Sequence, residues 1–283
     1  MDAIHFLAAP FVMCLLLVGI HCYLGLHVLA RGVVFVDLSL AQVASFGASL
    51  ALLIHPEDHH SPMSYVISLG MTFIAAGIFT FARRFEKQIS QEALIGITYA
   101  FASAAVVLVV DRLAHGAEHL KEALVGELLW VSWSDVLRTF IIYSVVAVLH
   151  WIFRMRFLRA SFDHHPENRQ DSHQDKKQNH GFWDFLFYAL FGVVITSSTS
   201  IAGVLLVFSF LIVPSVMSTL FFTKISHRLA FGWISGAVVS FIGMWLSYVL
   251  DLPVGALLVV LFTLIPILTL PVLAIARSRM RSL

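Results

Sequence analysis

Residues 185–222, FLFYALFGVVITSSTSIAGVLLVFSFLIVPSVMSTLFF, run for 38 positions without a charged side chain. A bilayer core of about 30 Å is crossed by about 20 apolar residues in a helix, so this stretch is twice too long for one span. Its one polar interruption, Thr196-Ser197-Ser198-Thr199-Ser200, predicts the place where one span ends and the next begins. The rest of the chain reads the same way. Apolar runs bounded by charges predict spans at 6–29, 33–54, 64–82, 92–110, 133–153, 184–200, 201–222, 229–250 and 253–276. That makes about nine spans, within a range of eight to ten that includes eight plus a re-entrant piece. The composition agrees: 59% of the 283 residues are apolar and 12% charged, against about a quarter charged in a soluble domain. The fold class is therefore an all-α polytopic bundle.

Basic residues set the orientation, because short loops rich in Lys and Arg stay cytoplasmic. With the N-terminus outside and the C-terminus inside, 15 of the 18 Lys and Arg residues fall on the inner side. Arg112, Lys121 and Arg138 alone remain outside, among nine acidic residues. Met1-Asp2-Ala3-Ile4-His5 lacks the basic start of a signal peptide, so the first span is expected to be retained. A net charge of +1 gives no field for nucleic acid, and no nucleic-acid partner is expected. Cys14 and Cys22 sit in one apolar run and read as packing residues.

Fourteen histidines are many for so apolar a chain, and imidazole is a common ligand of zinc and its neighbours. The outer loop His55-Pro56-Glu57-Asp58-His59-His60 reads either as a weak metal-capture site or as a hydrophilic turn. The polar segment 160–183 carries further histidines and reads as a solvated loop or a docking surface. His115-Gly116-Ala117-Glu118-His119 fits H-x-x-E-H, in which two histidines bind zinc and the glutamate is the general base. No clear third ligand follows on the same side after Asp135, and Gly116 weakens the helix such a site needs. His115, Glu118 and His119 are accordingly read as a weak metal contact in an outer loop, with a membrane metallohydrolase as the alternative.

Asp37 is the only charged residue expected well inside an apolar span, where a carboxylate costs about 2.5–3.5 kcal/mol. Ser39, Gln42, Ser45 and Ser49 recur on the same helix and form a polar stripe. The stripe suits either a cation path or hydrogen bonding between helices. Five positions separate Asp37 from Gln42, a rotation of about 140°, so one regular helix does not aim both at one ion. Pro214 predicts a kink, as hinge or as static packing. There is no G-x-x-x-x-G-K-[ST] anywhere, so any ATP that drives this chain is bound by another.

Six blocks in order resemble the ABC-3 permeases, the membrane subunits of bacterial zinc and manganese ABC importers. They are LHVLARGVVFVDLSLAQVASFG (26–47), SQEALIGITYAFASA (90–104), LVGELLWVSWSD (124–135), RFLRASFD (156–163), GVLLVFSFLIVPSVMS (203–218) and SYVLDLPVGALLVVL (247–261). The resemblance implies one permease domain over 1–283, a permease homodimer in the bacterial inner membrane, a pair of ABC ATPase subunits on the cytoplasmic face and an extracytoplasmic metal-binding protein. Residues 154–183 become the cytoplasmic His-rich loop with the ATPase-coupling region, and Ser161, Phe162 and Asp163 match the stretch ahead of it. Many members carry F-x-G-D-x-x-x-H in the second span; here Gln42 aligns with the histidine and Asp37 is shifted by one. His21 and His27 of the first span are expected to compensate by facing Asp37 or Gln42. The transported metal is expected to be zinc first, on the histidine content, then manganese, then iron. No cofactor is expected on this chain. A proton-coupled secondary carrier is the remaining alternative.

Overall fold

The computed structural model describes residues 3–54, 62–85, 88–113, 116–162 and 180–281. They form ten α-helices: α1 Ala3–Arg31, α2 Val36–Ile54, α3 Pro62–Ala82, α4 Gln91–Val110, α5 Gly116–Val125, α6 Trp133–Ile152, α7 Arg154–Phe162, α8 His180–Phe221, α9 Ile225–Leu250 and α10 Val254–Arg281. Eight of them are long and apolar enough to cross a membrane; α5 and α7 are short. Helices are what the composition demands, since hydrocarbon offers the backbone no partner outside its own segment.

α8 holds the other elements together. It packs against α1, α2, α3, α5, α6, α7, α9 and α10, and 67% of its span is buried against 11% of that of α10. Its 42 residues are helical except at Gly203, which has φ 74° and ψ 161°. Contacts on either side of Gly203 show two antiparallel legs. Along α1, His21 bonds Ser198 while Arg31 bonds Asp184, so the first leg runs opposite to α1. On the second leg Phe210 packs on Phe262 and Met217 meets Thr269, in step with α10. Ala202 and Gly203 lie against Gly126, and Val125 lies against Gly255 where α10 starts. The described residues thus make nine passes, with α8 contributing two.

The break sits at Gly203 and not in the Thr/Ser run. Four of the five hydroxyls are satisfied inside the helix, by carbonyls three or four positions back: Ser197 and Ser198 to Val194 (2.9 and 2.8 Å), Thr199 to Ile195 (2.7 Å) and Ser200 to Ser197 (3.0 Å), while Thr196 meets the Thr72 hydroxyl of α3 at 3.3 Å. Small polar side chains satisfied inside the helix do not end it. Helical dihedrals continue through Pro214, which does not break the second leg.

One end of the bundle gathers the ends of α1, α3, α7 and the first leg of α8, joined through Arg31, Arg83, Ser161 and Asp184. This is the basic end. The other end carries α5 and the turn at Gly203.

A methyl group on Gly203 would meet the backbone of Gly126 and lie 2.6 Å from Leu124 O, in a conformation L residues rarely adopt. Gly203→Ala should lower the melting temperature in detergent, with about 1–3 kcal/mol from backbone strain alone. An unchanged melting curve would show that the reversal tolerates a side chain.

Candidate functional site

α1 ends in a Schellman motif: Gly32 at φ 68° lets Gly32 N bond Leu29 O and Val33 N bond Val28 O. The turn starts α2 at Val36, which places Asp37 in its first turn at the basic end. The sequence put Asp37 well inside a span; the chain instead turns later than the hydropathy suggested, and the carboxylate lies near the helix end. It is still enclosed, at 1% exposure, and neither oxygen has a hydrogen-bond partner among the described residues. Glu92, at the start of α4, accepts from Phe35 N (3.1 Å) through Oε1, and its Oε2 is also buried without a partner. Ser39, Gln42, Ser45 and Ser49 are all buried, on a helix that packs against α3, α4 and α8.

His21 and His27 do not join them. His21 Nδ1 donates to Leu17 O (2.8 Å), and its Nε2 lies 3.1 Å from Ser198 Oγ. His27 Nδ1 is 2.9 Å from Ser161 Oγ on α7. The expectation that these rings face Asp37 or Gln42 fails for a packing reason. α1 rests on α8, α9, α6 and α7, while α2 rests on α3, α4 and α8. No group of three His, Cys, Asp or Glu side chains able to hold a metal occurs among the described residues.

The H-x-x-E-H segment is only partly visible, because His115 lies outside the described residues, as do 55–60 and Asp163. Glu118 is exposed on α5, and His119 Nδ1 is 3.4 Å from Glu122 Oε2, its neighbour three positions on. No residue of α5 is buried, so α5 supplies no enclosed cleft for a hydrolytic metal. Phe162 ends α7, and Ser161 is fully buried.

The most elaborate polar chemistry gathers around Ser161, on partners that no motif pointed to. Arg31 and Arg83 both reach Asp184 Oδ1, Arg31 at 3.0 Å, with the Arg31 and Asp184 side chains at 1% and 3% exposure. Arg31 Nε donates to Ser161 Oγ (2.9 Å), and its guanidinium lies 3.9 Å from the centre of the Phe187 ring. Gln91 Nε2 donates to Tyr188 OH (2.9 Å) and Phe79 O (3.1 Å) beside this cluster. Tyr23 OH is 3.3 Å from His150 Nδ1, and the His150 ring stacks on Phe157 at 4.4 Å. One signal was available: Asp184 opens an apolar run on the side that collects the arginines.

With this geometry in place, likeness to known proteins is decisive. The sequence matches the ABC 3 transport family over residues 3–272. The chain belongs to that family. Relatives include the manganese transport system membrane protein MntC of Listeria monocytogenes, 29% identical over 211 residues covering 72% of each chain. Another is the "Probable metal transport system membrane protein" of Chlamydia trachomatis, 25% identical over 84% of this chain and 79% of that one. Among solved structures, PsaBC from Streptococcus pneumoniae in complex with Fab superposes with a TM-score of 0.72 at 19% identity, over 93% of this chain and 90% of that one. This is a multi-pass transporter subunit, not an enzyme.

Removing one partner of a buried ion pair leaves uncompensated charge. Asp184→Ala should therefore destabilise the protein by about 3–5 kcal/mol. Arg83→Lys, which keeps a cation at the less buried position, should cost clearly less in the same detergent unfolding assay.

Proposed function

We propose that the chain is the membrane-spanning permease of an ATP-driven importer of a divalent first-row transition metal. The observation that carries this reading is the family match across nearly the whole bundle, 3–272, in a sequence without a nucleotide-binding motif of its own. Energy then comes from a pair of ABC ATPase subunits docked at the basic end, which the positive-inside rule makes cytoplasmic. An extracytoplasmic metal-binding protein delivers the ion at the opposite end, in the bacterial inner membrane, to a homodimer of this chain. Residues 1–283 act as one permease domain, with 154–183 as the coupling region.

Zinc is supported by the histidine content, and manganese by the named substrate of MntC. Asp37 is the best-supported contact for the ion. It is a hard oxygen donor, buried, and not engaged by any described hydrogen-bond donor. Gln42 follows on the same helix. His21 and His27 are kept as contacts only in a state where their serine partners have released them, and His115, Glu118 and His119 as an outer contact. Ser161 acts from inside, by seating α7, while the exposed Arg154, Met155, Arg156 and Arg159 are the part of α7 available to an ATPase.

Sealed vesicles holding the permease with its ATPase should accumulate zinc or manganese when ATP is supplied, and continue when the proton gradient is collapsed. Vesicles holding this chain alone should not. Asp37→Asn should slow uptake about tenfold, equivalent to about 1.4 kcal/mol of barrier, while Glu118→Gln keeps most of it. Loss of function in Glu118→Gln with full uptake in Asp37→Asn would reverse the assignment and favour the H-x-x-E-H reading.

A further inference from the structure

α7 is a short helix with two unlike faces, placed immediately before the polar segment 163–179. Arg154, Met155, Arg156 and Arg159 are exposed; Phe157, Ala160 and Ser161 are buried against the bundle. Three helices grip the buried face. α6 supplies His150, stacked on Phe157, and α8 supplies Trp183, with its ring centre 6.1 Å from that of Phe157. α1 supplies His27 and Arg31, both 2.9 Å from Ser161 Oγ. Because Arg31 Nε donates to that oxygen, the serine's own proton is available to His27 Nδ1, and both bonds form at once.

Among these residues Arg31 joins α7 and α8 through hydrogen bonds from one side chain. It bonds Ser161 on α7 and Asp184 on α8, lies on the Phe187 ring, and through the shared Asp184 Oδ1 connects to Arg83 at the end of α3. A guanidinium is a rigid planar fork, so Nε and Nη1 hold their two partners at a fixed mutual angle. A movement of Ser161 is therefore a movement of Asp184. Arg31 Nη2, buried, has no hydrogen-bond partner among the described residues. This unused donor would let Asp184 grip Arg31 by both terminal nitrogens with Arg83 released, a second arrangement of the kind that carries coupling between sites.

We propose that Arg31 is a positioning residue that carries displacement of α7 into α1 and the two-pass helix α8, so that events at the ATPase-facing surface reach the transmembrane bundle through Ser161, Arg31 and Asp184. This rests on the function proposed above. Arg31→Lys keeps the charge, but a single ammonium on a flexible stem does not hold Ser161 and Asp184 at a fixed angle.

The test uses the complex of permease and ATPase in vesicles, with zinc or manganese as the probe ion. Arg31→Lys should hydrolyse ATP much as wild type does while metal moved per ATP falls about tenfold, within the range of typical coupling free energies. Hydrolysis and uptake falling together would mark a merely structural residue, and an unchanged ratio would also overturn the proposal. A second readout needs no transport. On adding ATP to the wild-type complex, hydrogen exchange should change together in residues 155–161 and 27–31; in Arg31→Lys and in Ser161→Ala it should change only in 155–161. If Arg31→Lys does not assemble, Ser161→Ala decides by this pattern. Should wild-type vesicles move neither metal, the function proposed above fails, and joint or separate exchange of the two segments still decides whether Arg31 links them.

Discussion

The architecture depends on one constraint: in hydrocarbon, each break in the backbone ladder needs a partner from elsewhere in the fold. The reversal at Gly203 shows how it is met. Ile201 O, two residues before the turn, accepts from Glu127 N at 3.1 Å. Gly126 approaches the same turn backbone to backbone, which only residues without side chains allow. The segment between α5 and α6 is thus what lets α8 pass twice, and α8 passing twice is what the rest of the bundle packs on. The end of α9 obeys the same rule, with Asp251 in the left-handed region at φ 54° while Ser247 O accepts from Leu252 N and the Ser247 hydroxyl donates to Leu252 O.

Buried charge at the basic end follows from the same scarcity of water. Arg31 lies in the last turn of α1, where the helix dipole favours a cation, and has a carboxylate, a hydroxyl and an aromatic face around it. Asp184 is shared by Arg31 and Arg83 at the end that the loop composition already makes basic.

Hydropathy made the spans legible because each crossing requires a long apolar run whatever its neighbours are. The boundary inside 185–222 was misplaced because polarity and chain reversal are different properties. Hydroxyls of Ser197 to Ser200 find carbonyls in their own helix, whereas Gly203 offers a conformation and an absence of side chain that no hydropathy scale registers. Asp37 was recognised as costly but set too deep, since the Schellman turn at Gly32 leaves no trace in hydropathy. The Arg31, Arg83, Ser161 and Asp184 cluster was not foreseen as a unit. Its members lie on four elements distant in sequence, and each alone reads as an ordinary loop-end residue.

Two buried aspartates on the same side of the bundle have opposite surroundings, and the contrast separates holding from conducting. Asp184 already meets two guanidinium groups through Oδ1, so a cation arriving there would compete with Arg31 and Arg83. Along α1, His21 already uses both ring nitrogens. Asp37 is different, because a cation reaching it gains an unused carboxylate and breaks no described hydrogen bond. Desolvating an ion is expensive, and a route is favourable only where the replacement ligands are not committed elsewhere. By that criterion the proposed route for the ion follows the buried polar face of α2, and the interface of α1, α7 and α8, whose polar groups are already engaged, is suited to holding helices together.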